Sequence, residues 1–184
     1  TLTDSSAASD VYKRQDKLSF IENQYVVVGH ESDMVINSLP SSTKHIMQKD
    51  QLGTGHAVAT VVSDDLFVDN KSEFTVVVPG DVPAIDAKDI ELLISEVETK
   101  SSPVGFLTAI VNNPYGYGRV IRNNEEKRIV EEKDCIDGER EINEINSGIY
   151  CFKTDFLIEN IDSLDTKNAQ GEFYLTDLIG IANN

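Results

Sequence analysis

The 184-residue sequence has two cysteines, no tryptophan and only 16 lysines and arginines. Cys135 and Cys151 are too few and too irregular in pattern for a disulfide scaffold or a zinc site, which implies a reducing, cytoplasmic setting. The basic residues face 32 acidic ones, leaving a net charge of -16. That balance excludes a general nucleic-acid binder, which needs a basic footprint for phosphates, and it excludes docking on an anionic membrane surface. No apolar run approaches the roughly 18 residues needed to span a bilayer. The opening Thr-Leu-Thr-Asp-Ser-Ser lacks the basic start and apolar core of a signal peptide. Internal repeats and the hexapeptide pattern of a β-helix are also missing.

What is present suits one domain with a substantial core. Apolar residues make up 40% and charged residues 26%, as in an ordinary globular protein. Residues 1–15 differ from the rest: a Ser/Ala/Asp stretch without amphipathic period reads as a non-native or disordered leader, excluded from fold reasoning. Beyond it, strand-like and helix-like segments alternate. Tyr25–Val28, Phe74–Val78 and Val104–Val111 are expected as strands buried on both faces, with Lys44–Gln48 and Ile149–Phe152 as further strands. Arg119–Arg122 and Arg128–Glu132 are expected to flank a turn at Asn123–Glu126. Helices are expected at His56–Val62, behind an Asp86/Asp89 capping box carrying Ile90, Leu93, Ile94 and Val97, after a Thr154 cap, and over Glu172–Ala182. Alternation of this kind predicts a mainly parallel sheet with helices on both faces and some antiparallel character in the middle.

In open α/β sheets, ligands bind beyond the carboxyl ends of strands. Two segments stand there. Gln48 to His56 contains Gly53 and Gly55, which let a planar or phosphorylated ligand approach the backbone; a plain turn before a helix is the alternative. It is neither a P-loop nor a dinucleotide fingerprint. Pro79-Gly80-Asp81 ends the Phe74–Val78 strand, and Asp81 either holds Mg²⁺ against a nucleotide phosphate or caps the next turn. Asn113 to Arg119 is a glycine-rich loop, read alone as a turn. Glu131 and Glu132, placed on a strand, should face opposite sides. Asn146 precedes a strand, as a turn residue or as an amide for sugar hydroxyls. His30, His45 and His56 form no catalytic arrangement with a nucleophile and read as structural; Tyr115, Tyr117 and Tyr174 read as packing residues.

In order, Gln-x-x-Gln-Leu-Gly-Thr-Gly-His-Ala, Gly-Asp-Val-Pro, Asn-Pro-x-Gly-Tyr-Gly-Arg-Val, Ile-Val-Glu-Glu-Lys-Asp, Glu-Ile-Asn-Ser-Gly-Ile-Tyr and Asn-Ala-Gln-Gly-Glu-Phe-Tyr-Leu-Thr-Asp resemble the uridylyltransferase domain of bacterial N-acetylglucosamine-1-phosphate uridyltransferases. The resemblance spans residues 17 to 182, and six ordered blocks make it specific. It implies a Rossmann-like nucleotide-diphospho-sugar transferase fold, with residues 16–184 as a partial domain. It also implies transfer of UMP from UTP to N-acetylglucosamine 1-phosphate, giving UDP-N-acetylglucosamine and pyrophosphate for cell-wall precursors. By position, Gln48, Gly53 and Thr54 match residues that hold uridine, and Gly80 and Asp81 match the end of the nucleotide strand, Asp81 as the Mg²⁺ ligand. Pro79 stands where some relatives carry a tyrosine, while Gly118, Glu131 and Asn146 match sugar contacts.

The family also opens with a strand and a Gly-rich loop that supplies an arginine and a lysine, and it carries a second metal-binding asparagine beyond the last helix and a C-terminal β-helix. None of these has a counterpart here. The resemblance therefore implies a chain truncated at both ends, without the first strand, impaired in catalysis, with oligomerisation confined to the full-length protein. A non-catalytic sugar-nucleotide binding module, or a transferase for another sugar phosphate, are the competing expectations.

Overall fold

The computed structural model describes residues 20–29, 33–41, 43–82, 85–123 and 126–183. The expected leader, His30, Pro83 and the tip of the Asn123–Glu126 turn lie outside the described residues. The strands are β1 (Tyr25–Val28), β2 (Lys44–Met47), β3 (Phe74–Val77), β4 (Val104–Ile110), β5 (Arg119–Asn123), β6 (Glu126–Val130) and β7 (Glu144–Lys153). The helices are α1 (Asp33–Ser38), α2 (Thr54–Val62), α3 (Asp65–Asp69), α4 (Ala87–Thr99), α5 (Thr154–Asn160) and α6 (Asp177–Ile181).

β7 organises the larger sheet. β4 runs antiparallel along one edge, with Val104 opposite Phe152 and Ile110 opposite Glu144. β3 and β5 share the other edge: β3 pairs with the carboxyl half, Val77 opposite Tyr150, and β5 meets the amino half, Arg119 opposite Ile145. β6 folds back on β5. A register shift between Phe106 and Thr108 marks a bulge facing Ser147, whose hydroxyl donates to the Leu107 carbonyl (2.8 Å). β1 and β2 form a separate parallel pair.

The mixed sheet with helices agrees with the expected α/β class, but the share of parallel pairing does not: among described strands, only the β1–β2 ladder is parallel. β3, β4 and β5 do point the same way, since each is antiparallel to β7, which lies between them. β1, β3 and β4 are mostly half-buried, not buried on both faces; each also has a ladder partner on one edge only among the described residues.

Side-chain alternation along β7 separates two cores. Tyr150 and Phe152 pack with Val58, Val62, Phe67, Leu157, Leu178 and Ile179 from α2, α3, α5 and α6. Ile149 and Cys151 point the other way, onto Ile90, Leu93 and Val97 of α4. These three α4 residues are the expected helical stripe. The Asp86 side chain caps α4 by accepting from Lys88 N (3.0 Å), while the reciprocal half of the box does not form.

Three further expectations change. Helix α3 follows α2 because Asp64 accepts from Leu66 N (2.9 Å), so the aspartates that break one helix start the next. Thr154 lies inside α5; its hydroxyl pairs with that of Thr75 (2.7 Å) and Lys153 occupies the cap position. The expected Glu172–Ala182 helix shrinks to α6, since the Phe173 carbonyl accepts from Gly55 N and Asp177 N turns to the Tyr174 carbonyl instead.

Phe152 is fully buried between two strands and the helices of the larger core. Phe152→Ala is expected to lower unfolding free energy by about 3–5 kcal/mol, read from the shift of the urea midpoint; a loss below about 1.5 kcal/mol, the range of tolerated core swaps, would contradict this placement.

Candidate functional site

Gln48 leaves β2 by extending its ladder, its amide donating to the Val28 carbonyl (2.8 Å). The Gln48 side chain turns inward and is buried, with Nε2 at 3.2 Å from the Gly53 carbonyl and 2.9 Å from His56 Nδ1. Gly53 then adopts φ 106°, open to glycine but strained for other residues, and a Cβ there would meet the Phe173 carbonyl at 2.7 Å. The loop closes on a distant segment through three bonds: Phe173 N to Leu52 O (2.8 Å), Gly55 N to Phe173 O (2.8 Å) and Leu175 N to Thr54 Oγ1 (3.2 Å).

The same segment reaches the acidic residues one step on. Thr176 Oγ1 donates to Glu131 Oε1 (3.2 Å), and a Cβ built on Gly118 would lie 3.2 Å from Glu131 Oε2. The Gly118 carbonyl accepts from Asn146 N (2.9 Å). The Asn146 amide nitrogen donates to the Tyr150 hydroxyl (2.5 Å), while its oxygen accepts from Gly148 N (3.1 Å). One amide hydrogen and one lone pair of Asn146 are thereby left for a ligand. Pro79, at the end of β3, lies against Gly148, with Cγ 2.7 Å from where a Cβ would be. The site thus gathers where β3 and β5 meet along one edge of β7.

Gln48, Gly53 and Thr54 are joined to Glu131 through residues 173–176, and Glu131, Gly118, Asn146 and Pro79 follow one another in contact. Asp81 stands apart: it is exposed in the turn after β3, and its carboxylate has no hydrogen bond or ion pair among the described residues. Glu131 and Glu132 lie just past β6 instead of on it, yet they still diverge. Glu132 accepts from Gly116 N (3.1 Å) and from the buried Arg119 (2.7 Å), which also donates to the Tyr117 carbonyl. This ion pair ties down the glycine-rich loop and holds the Glu132 carboxyl below the usual carboxylate range. Of the tyrosines expected to pack, only Tyr174 does; Tyr115 and Tyr117 are exposed on that loop.

Residue-by-residue reading missed Asp134, Tyr150 and Thr176. Asp134 accepts from Ala169 N (2.8 Å) and from the Tyr174 hydroxyl (3.1 Å), fixing both ends of the segment 169–174. All three belong to the ordered blocks quoted above, so their signal was the block and not the residue.

A family model described as nucleotidyl transferase matches residues 10–182. The chain belongs to the nucleotidyl transferase family. Within this family, the bifunctional protein GlmU of Fervidobacterium nodosum is 48% identical over 157 residues, covering 85% of this chain and 34% of that protein. The GlmU of Lactococcus lactis is 44% identical over 163 residues, covering 88% and 35%. The chain spans about a third of the length of these curated relatives. Among solved structures, a putative glucose-1-phosphate thymidylyltransferase from Bacillus anthracis superposes with a TM-score of 0.65 at 21% identity, over 91% of this chain and 65% of that one. A UDP-glucose pyrophosphorylase complexed with UDP-glucose gives 0.64 at 14% identity, over 96% and 74%. These structures share the nucleotidyl transferase fold of the chain.

Electrostatically, the cluster around Glu131 is acidic. Burial pushes the Glu131 carboxyl above its ordinary range; Thr176 opposes the shift, and Asp134, Asp177 and Glu172 reinforce it. A carboxyl that holds its proton more tightly when folded stabilises the fold at low pH, and loses that contribution as pH rises through its raised value. The wild-type protein is therefore expected to gain stability relative to Glu131→Gln as pH falls from about 7 to about 4, the ordinary glutamate range. Paired denaturant titrations at the two pH values check this, and a gap that does not change with pH would contradict it.

Proposed function

We propose that this chain carries the nucleotide- and sugar-binding site of a UTP:N-acetylglucosamine-1-phosphate uridylyltransferase, with residues 16–184 as the transferase part. The observation that carries the reading is the continuous contact from Gln48, Gly53 and Thr54 through residues 173–176 to Glu131, Gly118 and Asn146. A base-binding loop and a sugar-binding cluster are held side by side, as a sugar nucleotide requires. The GlmU relatives, matched over most of the chain, support uridylyl transfer. The free, buried thiols of Cys135 and Cys151 fit a reducing cytoplasm.

In the proposed reaction the sugar phosphate attacks the α-phosphorus of UTP in line and pyrophosphate leaves. Little proton transfer is required, so positioning dominates. The Gln48 loop places the base, and Asn146 offers its remaining hydrogen and lone pair to the sugar. Glu131, seated between Gly118 and Thr176, accepts from sugar hydroxyls, and the half-buried Pro79 and exposed Gly80 bring the chain to the phosphates. Asp81 suits Mg²⁺, an ion that takes one or two carboxylates plus waters and phosphate oxygens instead of an all-protein cage. When bound there, the ion supplies the positive charge that a chain of net charge -16 does not.

Titration calorimetry with UDP-N-acetylglucosamine tests the reading. Binding is expected, with Asn146→Ala and Glu131→Gln each weakening it about tenfold, the cost of one or two lost polar contacts. Arg122→Ala, which breaks only an exposed pair with Glu144, should leave it unchanged. No binding by the wild-type chain, or equal loss in all three variants, would overturn the proposal. Tighter binding of UDP-glucose would favour a different sugar phosphate.

A further inference from the structure

Every hydrogen of the Gln48 amide nitrogen is spoken for. Nε2 lies 3.2 Å from the Gly53 carbonyl, which can only accept, so nitrogen and not oxygen must face it. The opposite assignment would put two oxygens against each other. With one hydrogen used there, the other points to His56 Nδ1 at 2.9 Å, and that ring nitrogen must carry the lone pair. His56 is therefore neutral with its proton on Nε2. The Gln48 carbonyl oxygen has no partner among the described residues.

His56 is itself held in place. Its ring stacks on Phe173, with centroids 6.3 Å apart and planes 29° from parallel, and Phe173 is fixed by its bonds to Leu52 and Gly55. Gln48 is anchored at the backbone by Val28 and is nearly buried, so its side chain has little freedom to turn. This arrangement determines what Gln48 can offer a ligand: an acceptor and no donor.

We propose that His56 is a positioning residue for nucleobase choice. By accepting one N–H of Gln48 it leaves only the Gln48 carbonyl oxygen for the base, so the site selects a base edge presenting an N–H, as uracil does at N3. It rejects an edge presenting a bare ring nitrogen, as cytosine does at the same place. The inference rests on the proposed function, in which Gln48 meets the base. A site whose polar group is left facing a like group discriminates far more strongly than one that merely loses packing.

Calorimetric titrations with UTP and with CTP on the wild-type chain and two variants test it. Wild type is expected to prefer UTP by about tenfold or more. His56→Asn puts an amide oxygen near the position of Nδ1 and should keep most of that preference. His56→Leu keeps apolar bulk against Phe173 but has no acceptor, and it should bring the UTP:CTP ratio to within about threefold of one. A purely structural role for His56 would give the opposite order, since Leu preserves packing better than Asn. Thermal melts of each variant establish that the ratio is read on folded protein. An unchanged ratio in His56→Leu, equal losses in both variants, or equal binding of UTP and CTP by wild type would overturn this inference alone. Binding of neither nucleotide would overturn the proposed function and this inference with it.

Discussion

Residues 52–55 and 173–175 are far apart in sequence, yet three hydrogen bonds hold them together, and the site depends on this seam. On one side the seam shapes the loop after β2, where Gly53 takes a backbone conformation suited to glycine so that the Phe173 carbonyl can reach Gly55 N. On the other side it takes the Phe173 carbonyl, which a helix from Glu172 would have given to Asp177 N, and leaves Thr176 turned toward Glu131. Backbone groups in irregular segments need partners when they are buried, and here each segment supplies the other's.

The sheet supports the seam instead of forming the site. Among the described strands, β7 alone has neighbours along both edges for much of its length, and it sends alternate side chains into two cores. Because β3 and β5 divide one of those edges, the bulged stretch Asn146–Gly148 lies where neither strand covers the backbone fully. That is where Gly118, Glu131 and Asn146 gather, and where a ligand could reach polar groups without breaking the ladder. The Arg119–Glu132 pair supports the same place from behind by holding the glycine-rich loop. It spends one of the few cations in an acidic protein on structure.

Much of this was legible from residue patterns, for physical reasons. β-branched runs ending at Gly29 and Pro79 located β1 and β3, and the Ile90, Leu93 and Val97 spacing located α4, because burial enforces the periodicity. The pattern could not show that β7 would separate strands running in the same direction, since ladder partners are set by tertiary pairing. Nor could it show that the Phe173 carbonyl would go to Gly55 N in place of a helical bond: amphipathic spacing records which side chains are buried, not where the backbone groups go. The site residues were legible only as ordered blocks. Gly118, Glu131 and Asn146, named by the resemblance, do come together in the fold. His56, read from the sequence as structural, does bond inside the protein; what the sequence could not reveal is that its partner is Gln48.

The central claim is that the two halves of the site are ordered by one seam. Amide hydrogen exchange on the wild-type chain and on Gly53→Ala tests it most directly, because a Cβ at Gly53 would lie 2.7 Å from the Phe173 carbonyl in a backbone conformation unfavourable to alanine. Protection at Gly55, Phe173 and Leu175 should fall together in the variant, with Asn146 following and the β7 amides from Tyr150 to Phe152 retaining theirs. Unchanged protection at Phe173 and Leu175, or a uniform loss that includes the centre of β7, would contradict the claim.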